Sequence, residues 1–496
     1  MTPLLLVFVH GYSVTNLDTY GELPLRLQEE ARARGLDARI ENIYLGRYVS
    51  FHDEVRLDDV SRAMELAVRQ QLPTGTRFVC ITHSTGGPVV RNWWHLFYEQ
   101  ATTPCPMSHL IMLAPANHGS ALAQLGKTRL SRVKSWFDGL EPGQKILDWL
   151  ELGSSDAWRL NLHWIRTGAT ALSERGFFPF VLTGQSIDRK LYDHINAYTG
   201  ELGSDGVVRV ASANLNSRYL RLSQQRPALQ GGTLRAPGLE ITEYLEAPGS
   251  PMRIISGKSH SGEKMGIMRS VLRSTGDQNS QETIQAIFDC IAVNNPGDYT
   301  RLAEIFKAQT EKVRQDELIE IEKKLLKQNV YIHDRYCMVM FRVRDHEGFP
   351  LTNFDLLLTG PGDDPDMLPS GFFADRQYNR VNQSTLSYYF NYDVLTGTQE
   401  AVKNGEVFRK ALKGIGEIGL IIRPRPDEGF VRYLPCQISS SSDLFKKLFQ
   451  PNATTLVDIE LRRVVSQEIF RFERPDENRV TARSFKDTEP GHTSLS

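Results

Sequence analysis

Thr82-His83-Ser84-Thr85-Gly86-Gly87 decides how the rest of this chain is read. It follows a β-branched, apolar run, Arg77-Phe78-Val79-Cys80-Ile81, and precedes Pro88-Val89-Val90-Arg91-Asn92-Trp93-Trp94, which reads as a helix. Strand, tight turn with a central Ser, then helix is the setting that exposes a Ser as a nucleophile. So sharp a turn needs small residues two before and two after the Ser, here Thr82 and Gly86. Gly is usual at the first of these, so Thr82 is a departure. Ser84 Oγ is expected to stand at the helix N-terminus, where backbone N–H groups stabilise negative charge.

Outward from this turn, residues 1 to about 275 alternate short apolar runs with amphipathic stretches. Strands are expected at Leu4–Val9, Ala38–Tyr44, Phe78–Thr82, His109–Leu113, Phe180–Gly184, Val207–Ala211 and Met252–Ser256. Helices are expected at Leu23–Arg34, Leu57–Gln71 and Val89–Tyr98. The rhythm implies an α/β fold, a mostly parallel sheet with helices on both faces. Residues 120–175 interrupt it with a bulky, helix-like insertion holding Trp136, Trp149, Trp158 and Trp164. Gln224–Pro248 reads as a loop or hairpin excursion.

Residues 276–328 read as a helical connector whose second helix, Tyr299–Leu326, is long and charged. From residue 329 to 473 the texture turns β-rich, with runs at Val330–Val343, Phe354–Thr359, Leu386–Tyr392, Glu417–Ile422, Phe430–Ile438 and Thr455–Val464. These predict a sandwich-like second domain. Residues 474–496 are polar and predicted to be disordered.

Composition narrows the class. The chain has 496 residues, 40% hydrophobic and 24% charged, as in soluble globular proteins of two or three domains. A formal net charge of -1 gives no global field for nucleic acid or an anionic membrane. Five scattered cysteines without a C-x-x-C spacing suggest neither a disulfide framework nor a metal site, and suit a reducing cytosol. Leu4–Val9 lacks a basic segment before it and a cleavage site after it, so it reads as a buried strand rather than a Sec signal. No apolar run approaches the ~20 residues of a membrane span.

A Ser hydroxyl needs a His to take its proton and a carboxylate to hold that His in the right tautomer. Following the elbow, the expected order is Ser, acid, His. Asp205, at a turn in Gly203-Ser204-Asp205-Gly206-Val207-Val208, is the acid candidate, with Asp188 its main rival and Asp193 behind it. His260, in the loop Ser256-Gly257-Lys258-Ser259-His260-Ser261-Gly262, is the base candidate. His194 and His163 are its rivals, the first breaking the expected order and the second lying in the insertion. His10-Gly11-Tyr12 ends the first strand, and there the Tyr12 N–H is one candidate oxyanion donor, the Thr85 N–H the other. His83 and His118 read as pocket-shaping residues and His10 as a hydrogen-bonded turn residue. Asp205 before Gly is also ordinary turn chemistry.

These pieces resemble the α/β-hydrolase family of the lipase type: His10-Gly11-Tyr12, the Ser84 elbow, Ala114-Pro115-Ala116-Asn117-His118-Gly119-Ser120 and Ser204-Asp205-Gly206-Val207-Val208 match its motifs in its order. Thr82 has precedent in some lipases. The resemblance implies a Ser84–Asp205–His260 triad, Asn117–Ser120 as the turn into a lid, and residues 120–175 as that lid. The gap from Asp205 to His260 is longer than in compact lipases.

The implied activity is serine-dependent hydrolysis of a lipid ester, foremost a phospholipid acyl ester, with no metal or organic cofactor. Carboxylesterase or neutral-lipid lipase is the alternative. The tryptophans of the lid read as core or as a face that meets lipid when the lid opens. The appended domain and missing signal resemble bacterial type VI secretion lipase effectors. That analogy implies a cytoplasmic precursor exported by a non-Sec route, peripheral membrane contact through the lid, and a secretion, chaperone or inhibitor protein as partner. A reading of another class is a binding or delivery protein with a hydrolase-like scaffold and a docking β domain.

Overall fold

The computed structural model describes residues 4–10, 19–50, 52–125, 143–173, 176–188, 200–226, 229–230, 233–234, 237–274, 278–323 and 328–466. Tyr12, Asp193, His194, Trp136 with the rest of 126–142, and the tail from 474 lie outside the described residues.

The first apolar run forms β1 (Leu4–His10). Its side chains alternate between two cores, Leu5, Val7 and Val9 entering one, Leu6 and Phe8 the other. A strand buried on both faces has no polar side, hence its unbroken apolar sequence. In chain order follow α1 (Leu23–Ala33), β2 (Ala38–Tyr44), α2 (Leu57–Gln71), β3 (Phe78–His83), α3 (Gly86–Phe97), β4 (Met107–Leu113), α4 (Gln144–Leu150), α5 (Ser155–Ala171), β5 (Phe178–Thr183), α6 (Val210–Ala213), β6 (Arg218–Gln224), β7 (Leu239–Glu246), β8 (Met252–Ile254), α7 (Gln278–Ile291) and α8 (Pro296–Glu317). Six of the strands make an all-parallel sheet in the order β8-β5-β4-β3-β1-β2. Helices α2, α3 and α5 contribute to one core, α1, α7 and α8 to the other. This is the expected α/β architecture, and the loops after β1, β3, β4, β5 and β8 leave the same edge of the sheet, where such folds place their sites.

The β-rich region continues with β9 (Ile319–Lys323), β10 (Gln328–Ile332), β11 (Tyr336–Asp345), β12 (Phe354–Thr359), β13 (Phe373–Tyr378), β14 (Thr385–Asn391), β15 (Ile418–Pro424), β16 (Cys436–Ser441) and β17 (Thr454–Leu461). A six-stranded sheet in the order β13-β14-β11-β17-β6-β7 packs over the three-stranded sheet β12-β15-β16. The larger sheet is mixed, because β17 runs parallel to both β11 and β6. Thus β6 and β7, from the interval between Asp205 and His260, complete a sheet whose other strands lie beyond residue 336. That insertion accounts for the long gap between the two residues.

β11 displays the packing logic. Cys337, Val339, Phe341 and Val343 face the three-stranded sheet, whereas Met338 and Met340 face the parallel-sheet half, where they meet Trp158, Ile165 and Ala211. The mixed sheet is therefore covered on both faces, and the two regions share a continuous interface. Trp149, Trp158 and Trp164, in the described part of the expected lid, are all buried.

Two local expectations fail. Val207–Ala211 does not form a strand: the chain turns there and enters α6. The Asp205 carboxylate captures the N–H groups of Val207 and Val208, which outcompetes the β tendency of that run. The long connector helix stops at Glu317 rather than Leu326. Ile319-Glu320-Ile321-Glu322 has the two-residue alternation of a strand, and it pairs antiparallel with β10.

Candidate active site

Ser84 sits in the turn between β3 and α3 with φ 52, a left-handed conformation that costs a non-Gly residue energy. Its N–H donates to Leu113 O (3.0 Å), and its carbonyl accepts from Ala116 N (3.2 Å), so the end of β4 clamps the turn on both sides. A Cβ on Gly86 would come 3.2 Å from the Thr82 Cβ. Thr at position 82 thus makes Gly at 86 the more necessary.

His260 joins Ser84 to Asp205. Its Nε2 lies 3.1 Å from Ser84 Oγ, and its Nδ1 lies 2.9 Å from Asp205 Oδ2. A carboxylate only accepts, so Nδ1 carries the ring proton and Nε2 presents its lone pair to the Ser hydroxyl. The His260 N–H also donates to the Asp205 carbonyl (2.9 Å). Asp205 and His260 are fully buried and Ser84 is nearly so. The second carboxylate oxygen of Asp205 accepts from Val207 N (3.0 Å) and Val208 N (2.8 Å), which fixes the orientation of the acid. Of the two described acid candidates, Asp205 and not Asp188 is the partner of His260.

The remaining histidines separate from this chain. His83 Nε2 donates to the His260 carbonyl (3.1 Å), and burial, with His260 beside it, holds its pKa well below the ordinary value. A neutral His83 therefore buttresses the backbone of the base. His10 hydrogen-bonds Asn42 (3.0 Å) and stacks on Tyr44, and burial lowers its pKa to about 4. His118 meets Ser217 Oγ (2.8 Å), and burial lowers its pKa to about 3. His163, on α5, pairs with Glu99 just beyond the end of α3. Thr85 immediately precedes α3, as a donor at a helix start should; Tyr12, its expected partner in the oxyanion site, is outside the described residues.

Several residues that support the site carry no catalytic signature in the sequence. Ser120 Oγ donates to Val207 O (2.6 Å), and Ser212 Oγ donates to Gly119 O (2.6 Å). The Asn117–Ser120 turn therefore braces the Asp205 loop as well as leading into the insertion. Arg209, fully buried, forms a two-pronged pair with Glu201 (2.7 and 2.8 Å) and a second pair with Asp375 of β13. Its guanidinium lies 4.1 Å from the ring centre of Tyr389 on β14. The Tyr389 hydroxyl reaches the carbonyls of Leu202 and Gly203, each at 3.1 Å. Gly203 has φ +74, and a Cβ there would strike Tyr389 and Tyr336. The mixed sheet thus grips both ends of the Glu201–Arg209 loop that bears Asp205.

On the other side, the Glu317 carboxylate at the end of α8 accepts from Ser256 Oγ (2.6 Å) and Gly257 N (2.8 Å), pinning the start of the His260 loop. Cluster proximity to Asp205 is the only sequence hint for Arg209; Asp375, Tyr389 and Glu317 carry none.

The parallel sheet, the elbow and the buried Ser–His–Asp chain define an α/β-hydrolase of the lipase type. No family model and no curated relative matches the chain. Among solved structures, phospholipase PlaB from Legionella pneumophila is 39% identical, covers 99% of each chain and superposes with a TM-score of 0.83. The same enzyme in complex with thio-NAD is 40% identical over 97% of each chain, with a TM-score of 0.81. A Bacillus licheniformis lipase, BlEst2, matches 43% of this chain at 17% identity and a TM-score of 0.31. The chain belongs to the family of phospholipase PlaB. No described helix is long and apolar enough to cross a membrane.

Proposed function

We propose that this protein is a serine-dependent phospholipase that cleaves acyl esters through an acyl-enzyme. The observation that carries the reading is the hydrogen-bonded chain from Ser84 through His260 to Asp205, set on a left-handed elbow. Ser84 Oγ attacks the ester carbonyl while His260 Nε2 takes its proton. Asp205 keeps the imidazole in the reactive tautomer and balances its charge when protonated. The oxyanion takes hydrogen bonds from the Thr85 N–H at the start of α3 and from the Tyr12 N–H. His260 then protonates the leaving alcohol, and a water activated by the same His frees the fatty acid.

Lipid, rather than a small ester, is supported by membership of the PlaB family. Peripheral membrane contact through the insertion, export by a non-Sec route as a type VI effector, and a secretion, chaperone or inhibitor partner belong to the same proposal. Sedimentation of Ser84→Ala with phospholipid vesicles tests the first of these.

The catalytic reading is tested with a fluorophosphonate probe, which reacts only with an activated Ser. Wild type is expected to take one label per chain on the Ser84 peptide, and His260→Ala to lose it. Labelling of Ser84 at the wild-type rate in His260→Ala would remove His260 from the mechanism.

A further inference from the structure

His95 lies in the last turn of α3, and Glu99 follows one turn later. That spacing puts both side chains on one face. His163 reaches the same point from α5. His95 Nδ1 and His163 Nε2 each lie 2.6 Å from a different oxygen of the Glu99 carboxylate. The two imidazole centres are 4.0 Å apart. One donor atom from each residue falls within 4.8 Å of the others, and among the described residues no other trio of His, Cys, Asp or Glu achieves this.

We propose that His95, Glu99 and His163 bind a zinc ion. Two imidazoles and one carboxylate are a donor set zinc takes in proteins, at about 2.0–2.2 Å. Tetrahedral ligands at that distance stand about 3.4 Å apart. Whichever carboxylate oxygen coordinates, the nitrogen now 2.6 Å from it moves back by less than an ångström, and the other ligand atoms already lie within 4.8 Å. Thr167, one turn after His163, donates its hydroxyl to Glu99 Oε1 (2.8 Å), the outer hydrogen bond that orients a ligating carboxylate. The Glu99 side chain is 9% exposed, while the imidazoles keep 29% and 26%. The carboxylate is thus sheltered, and one side stays open for ion entry and a water in the fourth position. Arg91, one turn before His95, donates from one guanidinium nitrogen to Asn117 and Asn161 (3.0 Å each), and its charge acts on His163 against the pull of the Glu99 carboxylate.

Along α3, Gly86 and His95 are separated by about 14 Å. The ion therefore takes no part in the ester chemistry. It ties the helix that starts at the Ser84 elbow to α5, the helix whose Trp158 meets the mixed sheet, and it acts as a structural clamp.

The test uses the full chain, stripped with a chelator and titrated with zinc against a chromophoric competitor, alongside Glu99→Gln and His163→Asn. Wild type is expected to bind one equivalent, with a raised melting temperature, and each variant to bind at least ~10-fold more weakly. Cobalt(II) is expected to give wild type a tetrahedral visible spectrum. Absence of binding by wild type, which needs no variant to interpret, would overturn the proposal. Unchanged affinity in variants that retain the wild-type far-ultraviolet spectrum would place the ion on other histidines and overturn it equally.

Discussion

Ser84 and Asp205 belong to one hydrogen-bonded chain, yet different parts of the molecule hold them. The nucleophile is fixed by its neighbours: Thr82 and Gly86 permit the turn, and Leu113 and Ala116, on and just after the adjacent strand, clamp it. The acid is fixed from afar. Asp375 and Tyr389, more than 160 residues away in sequence, grip the loop through Arg209, Leu202 and Gly203. The mixed sheet is thus part of the scaffold that holds the proposed acid against His260. The β-rich region and the hydrolase half should accordingly fail together.

The largest effect that sharpens this contrast comes from Arg209→Met and Asp375→Asn. Arg209→Met leaves the sheltered Glu201 and Asp375 carboxylates without their partner, which costs about 3–5 kcal/mol of stability; Asp375→Asn costs less, because Arg209 keeps Glu201. Small displacements of catalytic groups cost up to ~100-fold in rate. Both variants are expected to lower kcat by about 10- to 100-fold on a soluble ester, with KM little changed, because the groups touch no substrate. An unaltered kcat in a folded variant would reduce the β region to a passive neighbour.

A smaller effect is expected on the nucleophile side. Gly86→Ala pushes a methyl against Thr82 and should slow turnover about 10-fold through a displaced elbow. Thr82→Gly alone should be nearly neutral, and the double variant should recover most of the loss, a coupling read from a double-mutant cycle. Additive losses would mean that the two positions do not share the turn as described.

The mildest probe is acid. His10 titrates near pH 4 and His118 near pH 3 in the folded protein, against about 6.5 in an unfolded chain. As pH falls below about 6.5 the unfolded state takes up protons first, so stability is full above that value and declines toward pH 4. Thermal melts at pH 7.5, 6 and 5 are expected to show the midpoint falling by several degrees. Because the halves share Trp158, Met338 and Met340 in one buried cluster, each melt should contain a single transition. Two separated transitions would break the comparison outright.

What could be read in the sequence follows the same division. The elbow, the parallel strands and their helices are local patterns, so β2 and α2 run over the residues their periodicity marks. Asp205 and His260 emerged because the family order singles them out among several acids and histidines. The mixed sheet was not legible, since pairing β6 with β17 joins residues some two hundred positions apart and leaves no local trace. Val207–Ala211 misled because a buried carboxylate overrode β-branched propensity. The charged run after Tyr299 suits helix and hairpin alike until the alternation at Ile319 and Ile321 is weighed. The His95–Glu99–His163 group was invisible because its donors come from separate places: His95 from the last turn of α3, Glu99 from the turn just beyond it, and His163 from α5.

The most direct measurement is fatty acid and lysolipid release from a panel of phospholipids by wild type and Ser84→Ala, assayed side by side. Wild type is expected to release both products, and Ser84→Ala to be slower by at least ~10⁴-fold with an unchanged melting temperature. Equal release by the two proteins would contradict the account. So would inactivity of wild type toward every phospholipid while a short acyl ester is still cleaved, since that result belongs to a carboxylesterase.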